Sequence, residues 1–329
     1  MTMFAGALRA PLQDALRPAG IQAEHIGVLW NLTLGLCALV FAVVLGVFLA
    51  ALWCAPRANA GTAVDLSSLA RPERRTWRAI GWATAASTVG LMFLLAADAW
   101  TSRALARLPL ADAVNIELTG HQWWWEARYL DADPAREFST ANELHIPVGR
   151  PVLVTLRAAD VIHTLWIPNL QGKKDMIPGR TATLTLRADR AGSYRGQCAE
   201  FCGVEHALMA LLVEAEPNTA YEAWAARQRR PATEPTDAAA LRGREIFLKG
   251  ACAGCHTVAG TTARGRKGPD LSHLASRRTI GAGMFPNNRG HLAGWIADPQ
   301  ALKPGVYMPP SALAPGDLQA LLAYLETLK

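Results

Sequence analysis

From Ile26 to Trp53 the chain runs 28 residues without a charged side chain, and this limits what its N-terminal part can become. At about 1.5 Å rise per residue, a helix of that length crosses a hydrocarbon core about 30 Å thick. A second uncharged run, Ala79 to Ala97, holds 19 residues and lies near the lower useful length for a span. Its Ala83, Ala85, Ala86 and Gly90 suit close packing against another membrane helix. The length of the first run argues against core helices of a soluble domain, so residues 1–100 read as an N-terminal segment and a two-helix transmembrane hairpin. Between the runs stand Arg57, Arg71, Arg74, Arg75 and Arg78 against Asp65 and Glu73. By the positive-inside rule that segment is cytoplasmic, which puts both termini and everything after Trp100 on the other side. The first twenty residues lack an apolar stretch ending in a small-residue cleavage site, so no cleaved signal peptide is expected.

With 329 residues in all, two or three domains are expected. Val114–Thr119 and Glu143–Ile146 alternate apolar and polar residues, while Val152–Leu156, Thr181–Leu186 and Leu211–Glu214 are short runs bounded by Pro, Gly or Asp. Such spacing predicts an antiparallel β-sandwich over 101–227. The polar, proline-containing stretch 228–237 reads as a linker. Two helical patterns, Ala238 to Leu248 and Gly316 to Leu328, frame an all-α domain over 238–329. Of the formal charge of +6, residues 237–329 hold most, with 11 Lys/Arg against 6 Asp/Glu, whereas 101–236 carries 15 against 16.

The chemistry is concentrated in Cys198-Ala-Glu-Phe-Cys202-Gly-Val-Glu-His206-Ala-Leu-Met209. A lone Cys-x3-Cys could be a disulfide or half a zinc site. His206 and Met209 argue for copper, because zinc rarely takes Met whereas thiolate and thioether suit copper. One more imidazole would make the set symmetric, and His163 supplies it. Two bridging thiolates from Cys198 and Cys202, His163 and His206 as terminal ligands and Met209 as a weak one would use every group. This arrangement resembles the dinuclear CuA centre of cytochrome c oxidase subunit II.

A second redox signature follows in Cys252-Ala-Gly-Cys255-His256, the c-type haem attachment motif. Two thioethers would hold the porphyrin and His256 the iron. The sixth ligand is expected from Met308, in the irregular stretch Lys303 to Pro310 before the last helical pattern, since His/Met ligation raises a haem potential. Met284, between Gly-rich and Pro/Asn-rich turns, is the competing residue. With four cysteines assigned to copper and haem, Cys37 and Cys54 are expected to be small apolar residues of the first membrane run.

Taken whole, the chain resembles subunit II of caa-type haem-copper oxidases, in which a cupredoxin-like Greek-key CuA domain carries a fused C-terminal class I cytochrome c. The resemblance rests on Gly120-His-Gln-Trp-Trp-Trp-Glu126, Asp160 to Pro168, Lys173 to Arg180, Gly196 to Met209 and the order of the two redox motifs. It implies an electron-input subunit of a bacterial inner-membrane oxidase. Electrons from a periplasmic donor, a cytochrome c or other small redox protein, would pass through haem c and CuA to haem in subunit I. Oxygen would be reduced there, coupled to proton translocation. It implies subunits I and III and the membrane as partners, and no nucleic acid. It also implies that the Glu200 carbonyl reaches copper, that its side chain faces a Mg²⁺ or Mn²⁺ shared with subunit I, and that Trp123 is a surface port for incoming electrons, open to the fused domain. Packing alone would account for Trp124 or Trp125.

One position departs from the family. Aligned on Trp77, Arg74 stands where relatives carry a proton-entry Glu, and the adjacent Glu73 is expected to pair with a neighbouring Arg. Two other classes compete for the whole chain. An electron-input subunit of a CuA-containing nitric oxide reductase would share the copper cluster. A structural or assembly subunit would be expected to lack it.

Overall fold

A computed structural model describes residues 10–55, 57, 59–63 and 73–329. They fall into two units, one of His25–Arg107 and one that joins the residues up to Glu24 with Leu108–Lys329.

In the first unit, α1 (Ile21–Cys54) and α2 (Arg74–Ala106) extend well beyond the two uncharged runs. At about 1.5 Å per residue each is about 50 Å long, so Arg74, Arg75 and Arg103 sit at ends that outreach a hydrocarbon core. Large apolar side chains such as Phe41, Phe48, Leu91 and Leu95 are exposed all along both helices, as a lipid or membrane-protein surround requires. A Cβ on Gly90 would lie 3.7 Å from Leu36, so the expected small-residue face is where the helices approach. Cys37 and Cys54 are free thiols on the α1 surface. The Glu73 carboxylate does not meet an arginine among the described residues; it accepts a hydrogen bond from Trp77 Nε1 at 3.2 Å, one turn along. Asp65 and Arg71, two of the charges between the apolar runs, lie outside the described residues.

The second unit opens with a β-sandwich. Its strands are β1 (Val114–His121), β2 (Trp124–Leu130), β3 (Phe138–Ala141), β4 (Glu143–Pro147), β5 (Val152–Ala158), β6 (His163–Trp166), β7 (Lys174–Met176), β8 (Ala182–Leu186), β9 (Gly192–Cys198) and β10 (Ala210–Glu216). They form two five-stranded sheets, ordered β3-β2-β1-β5-β8 and β4-β10-β9-β6-β7. Alternation explains the packing. Val114, Ile116 and Leu118 of β1 point inward while Asn115 is exposed, and the inward set meets residues such as Leu165 and Val213 of the opposite sheet. The sandwich is not purely antiparallel as expected. β1 runs parallel to β5 and β4 parallel to β10; both pairs are non-consecutive and joined through other strands, so no hairpin forces them antiparallel.

Two further segments complete the sandwich. Leu12 is inserted beside β9, with Leu12 N–H donating to Ser193 O at 2.8 Å and Arg195 N–H to Leu12 O at 2.9 Å. Buried Asn169 accepts from Asp14 N–H at 3.0 Å and donates to the carbonyls of Asp14 and Arg17 at 2.8 and 2.7 Å. Residues 10–20 thus strap the sandwich rather than leading only into α1. Helix α3 (Asn218–Gln228) then covers one edge, with Trp224 stacked on His145 at 4.2 Å.

The C-terminal domain contains α4 (Ala238–Lys249), α5 (Cys252–Cys255), β11 (Thr279–Ile280), β12 (Phe285–Pro286), α6 (Arg289–Ala297), α7 (Pro299–Leu302) and α8 (Pro315–Leu325). Asp237 caps α4 by accepting from Ala240 N–H. Helices α4 and α8 cross at Gly243, where a Cβ would fall 1.9 Å from Ala320 O. Phe247, Leu321, Leu322, Tyr324 and Leu325 build the core at that crossing.

Candidate metal and haem centres

The two thiols are brought together by the sheet, and the loop is closed by backbone. Cys198 ends β9 opposite Leu165 of β6, and Cys198 N–H donates to Met209 O at 3.0 Å. Residues 199–208 therefore return to the strand they left. His163 starts β6, so two of the expected copper ligands, Cys198 and His163, stand on strand ends, a stiffer support than loops alone. Glycines make the room. A Cβ on Gly120 would approach His163 Cδ2 to 2.9 Å, and one on Gly203, whose φ is +119°, would reach Trp123 Cζ2 at 2.8 Å.

Cys198 Sγ lies 3.7 Å from Cys202 Sγ. On one side His163 Nδ1 is 3.8 Å from Cys198 Sγ, and on the other His206 Nδ1 is 3.5 Å from Cys202 Sγ. Met209 Sδ sits 3.9 Å from Cys202 Sγ, and the Glu200 carbonyl 3.2 Å from Cys198 Sγ. Ligand atoms of His163, Cys198 and Cys202 all fall within 4.8 Å of one another. All five side chains named for copper converge, with the carbonyl of Glu200, while the Glu200 side chain is exposed. An open cleft of about 500 Å³, lined by Trp166, Lys173, Gln197, Cys198 and His206, leads from this cluster to the surface.

The cluster's charge state suits a cationic occupant. The hydrogen bond from the Cys202 thiol holds Cys198 far below an ordinary thiol, with His163 adding to it against burial. The same interaction, with burial, pushes Cys202 well up. Two sulfurs this close ionise once easily and resist a second ionisation; two metal ions between them would remove that resistance. Burial opposes charge on His163, but hydrogen bonds to Asp160 and Cys198 outweigh it and its pKa is raised. His163 Nε2 meets Asp160 Oδ1 at 2.8 Å, which leaves Nδ1 facing the sulfurs. Asp160 is held in turn by the amides of Gln122 and Val161, both at 2.7 Å. The sequence reading gave Asp160 no role; an acid three residues before a ligating His was the available signal.

The tryptophan run does not lie on one strand. β1 and β2 pair as a hairpin with His121 opposite Trp124, so Gln122 and Trp123 form the turn. Trp125 is fully buried, and Trp124 stacks on His121 at 4.3 Å. Trp123, expected at the surface, is only 7% exposed. Its Nε1 donates to Cys202 O at 3.0 Å, and a Cβ on Gly305 of the C-terminal domain would stand 3.6 Å from its ring. The sequence could not place that cover, because it comes from a loop of the C-terminal domain far downstream in the chain.

In the C-terminal domain Cys252 and Cys255 are free, half-buried thiols on α5. His256 Nδ1 lies 2.7 Å from the Pro269 carbonyl, which fixes the proton there and leaves Nε2 free to act as a ligand. Burial lowers the His256 pKa, favouring the neutral imidazole that iron needs. A Cβ on Gly268 would press on the ring at 2.6 Å, so that glycine sets the imidazole's position. Met308 packs against the domain core, and Gln300 Nε2 donates to its carbonyl at 2.9 Å. Met284 sits in the β11–β12 turn.

Fold and sites define a class: a membrane-anchored cupredoxin-like copper domain joined to a c-type cytochrome. Residues 129–216 match the family described as cytochrome c oxidase subunit II, periplasmic domain, and residues 240–329 match cytochrome c. Cytochrome c oxidase subunit 2 of Alkalihalophilus pseudofirmus is 40% identical over 219 residues, 66% of this chain and 62% of that one. Subunit 2 of Bacillus sp. strain PS3 is 34% identical, over 66% of this chain and 63% of that one. The chain thus matches a little under two thirds of the length of these relatives. The periplasmic domain of subunit II from Bradyrhizobium japonicum is 30% identical, with 37% of this chain and 96% of that one covered at a TM-score of 0.35. The chain belongs to the cytochrome c oxidase subunit II family, in a form that carries a C-terminal cytochrome c domain. It is a membrane protein with a periplasmic domain, and its two domains imply copper and haem.

Proposed function

We propose that this chain is the electron-input subunit of a haem-copper cytochrome c oxidase, taking electrons one at a time from a periplasmic donor and delivering them to subunit I. The observation that carries this reading is the convergence of Cys198, Cys202, His163, His206 and Met209 beside a complete Cys252-Ala-Gly-Cys255-His256 motif. Two coppers held by the first set would supply a one-electron couple, and haem held by thioethers from Cys252 and Cys255 would supply a second.

The chain's own residues do the rest. Cys198, Cys202, His163, His206 and Met209, with the Glu200 carbonyl, would hold the coppers. Asp160 orients His163, and the strand ends limit ligand movement, which keeps reorganisation small. His256 and Met308 would hold the haem iron; Met308 is preferred to Met284 because it packs on the domain core beside the Gln300 brace. Trp123, hydrogen-bonded to Cys202, is the residue through which electrons enter the copper site. The exposed Glu200 side chain is the ligand offered to a Mg²⁺ or Mn²⁺ shared with subunit I. Both termini and the redox domains face the periplasm of a bacterial inner membrane, with subunit III a further neighbour. Oxygen reduction and its coupled proton translocation take place in subunit I, where this chain contributes no reacting atom.

The test is flash reduction of haem in the full-length chain, purified with both centres loaded. Loss of the reduced-haem band in step with bleaching of the copper absorption is expected. A haem that stays reduced while the copper stays oxidised would overturn the reading.

A further inference from the structure

Lys303 is the one lysine buried among the described residues, 1% exposed, and no carboxylate pairs with it. Its three N–H groups instead meet three backbone carbonyls: Leu208 at 2.8 Å, Trp123 at 3.1 Å and Gly281 at 3.2 Å. An ammonium has three donors and no acceptor, so this cage satisfies it fully. Leu208 and Trp123 belong to the copper domain; Lys303 and Gly281 belong to the cytochrome domain. Removing such a charge from water is expensive unless every donor is paired. A domain that left and returned on each turnover would have to hydrate and strip that charge every time.

The neighbourhood is built to the same end. Lys303 follows α7 directly, and Gln300 of α7 accepts from Gly305 N–H at 2.9 Å and donates to Met308 O at 2.9 Å. The loop that carries Met308 is therefore braced to the residue that enters the cage. Gly305, at φ +90°, lets this loop lie against Trp123 and Val204. Tyr307 Oη donates to Gln122 Oε1 at 2.9 Å, and Ala210 N–H donates to Ala282 O at 3.0 Å. A second anchor stands apart from the cage: Arg278 pairs with Glu214, donates to Ser193 Oγ at 2.9 Å, and its amide donates to Glu143 at 3.0 Å.

We propose that Lys303 is a positioning residue for electron entry: it pins the Met308 loop onto the Trp123 turn and the His206–Met209 segment. The cytochrome domain then works as a docked, private donor, and Trp123 is closed to free cytochromes. This rests on the electron-input reading above. The transfer it positions moves one electron, taking haem iron from ferrous to ferric and reducing the copper pair by one, with no proton required.

Two measurements on the full-length, cofactor-loaded chain test it. In the wild type, the haem-to-copper rate after flash reduction is expected to be insensitive to glycerol viscosity and to salt, and the Ala210 amide to exchange slowly with deuterium. In Lys303→Met, with haem and copper spectra unchanged, the transfer is expected to slow by about tenfold or more and become viscosity-dependent. Ala210 exchange should rise by a similar factor, the scale set by leaving buried carbonyls unpaired. A wild-type rate that falls with viscosity, or a Lys303→Met chain with unaltered transfer and exchange, overturns the proposal and leaves the electron-input reading standing. No transfer in the wild type at any viscosity overturns the electron-input reading, and this one with it.

Discussion

At the proposed copper site, the placement of His163 depends on a residue that would touch no metal. Asp160 accepts from the imidazole Nε2 and from two backbone amides, so its carboxylate is fixed before it fixes the ring. Asp160→Asn should keep the fold and weaken copper binding by about 10- to 100-fold, the usual effect of losing such a partner; competition with a chelator measures it. His145 is a second buried imidazole with a different task. Burial disfavours its charge, but hydrogen bonds to Glu143 and Glu216, each at 3.0 Å, raise its pKa to about 9. The folded value exceeds the unfolded one, so the stabilisation is complete below about pH 6.5 and is lost as pH rises through about 9. The shift corresponds to at most on the order of 3 kcal/mol. Denaturant midpoints across pH 6–10 should fall in the wild type and stay flatter in His145→Gln. Neither role was legible in the sequence. Asp160 and Glu143 stand only three and two residues before their histidines, but nearness in the chain does not state that the side chains meet, and Glu216, 71 residues from His145, gave no local signal at all.

Among the elements, legibility followed the range of the information. The copper and haem motifs could be read because their chemistry lies in residue types a few positions apart, and α4 ended within a residue of its expected bounds. Strands β1, β4, β5, β8 and β10 were anticipated from alternation or short apolar runs. β2 was hidden by its charged outward residues Glu126 and Arg128, and β6 and β9 by their site-building sequences. The parallel pairs could not be read at all, since a strand's pattern does not state its direction. The strap formed by residues 10–20 was equally silent, being held by Asn169 some 150 residues away. Asn169→Ala removes three hydrogen bonds made by a fully buried side chain, which should cost about 2–3 kcal/mol. A fragment beginning at Leu108 should show a loss at least as large in its unfolding midpoint, and a midpoint equal to the full chain would contradict the strap's role.

For the whole molecule, the two redox domains share one packed interface whose centre is the Lys303 cage and whose edge is the Arg278 cluster. Sequence alone placed a linker at 228–237 but could not say where the tethered domain rests. That depends on three carbonyls any residue type could supply. The resting place covers Trp123 and sets the Met308 loop beside the turn that hydrogen-bonds Cys202. The proposed electron-input role requires five side chains to hold two coppers as one electron-accepting unit alongside one haem. Metal analysis with EPR of the full-length chain tests it most directly. Two coppers and one iron per chain, with a mixed-valence signal shared over both coppers that Cys202→Ser abolishes, is the predicted result. One copper per chain with a localised single-ion signal, or no copper at all, would contradict it.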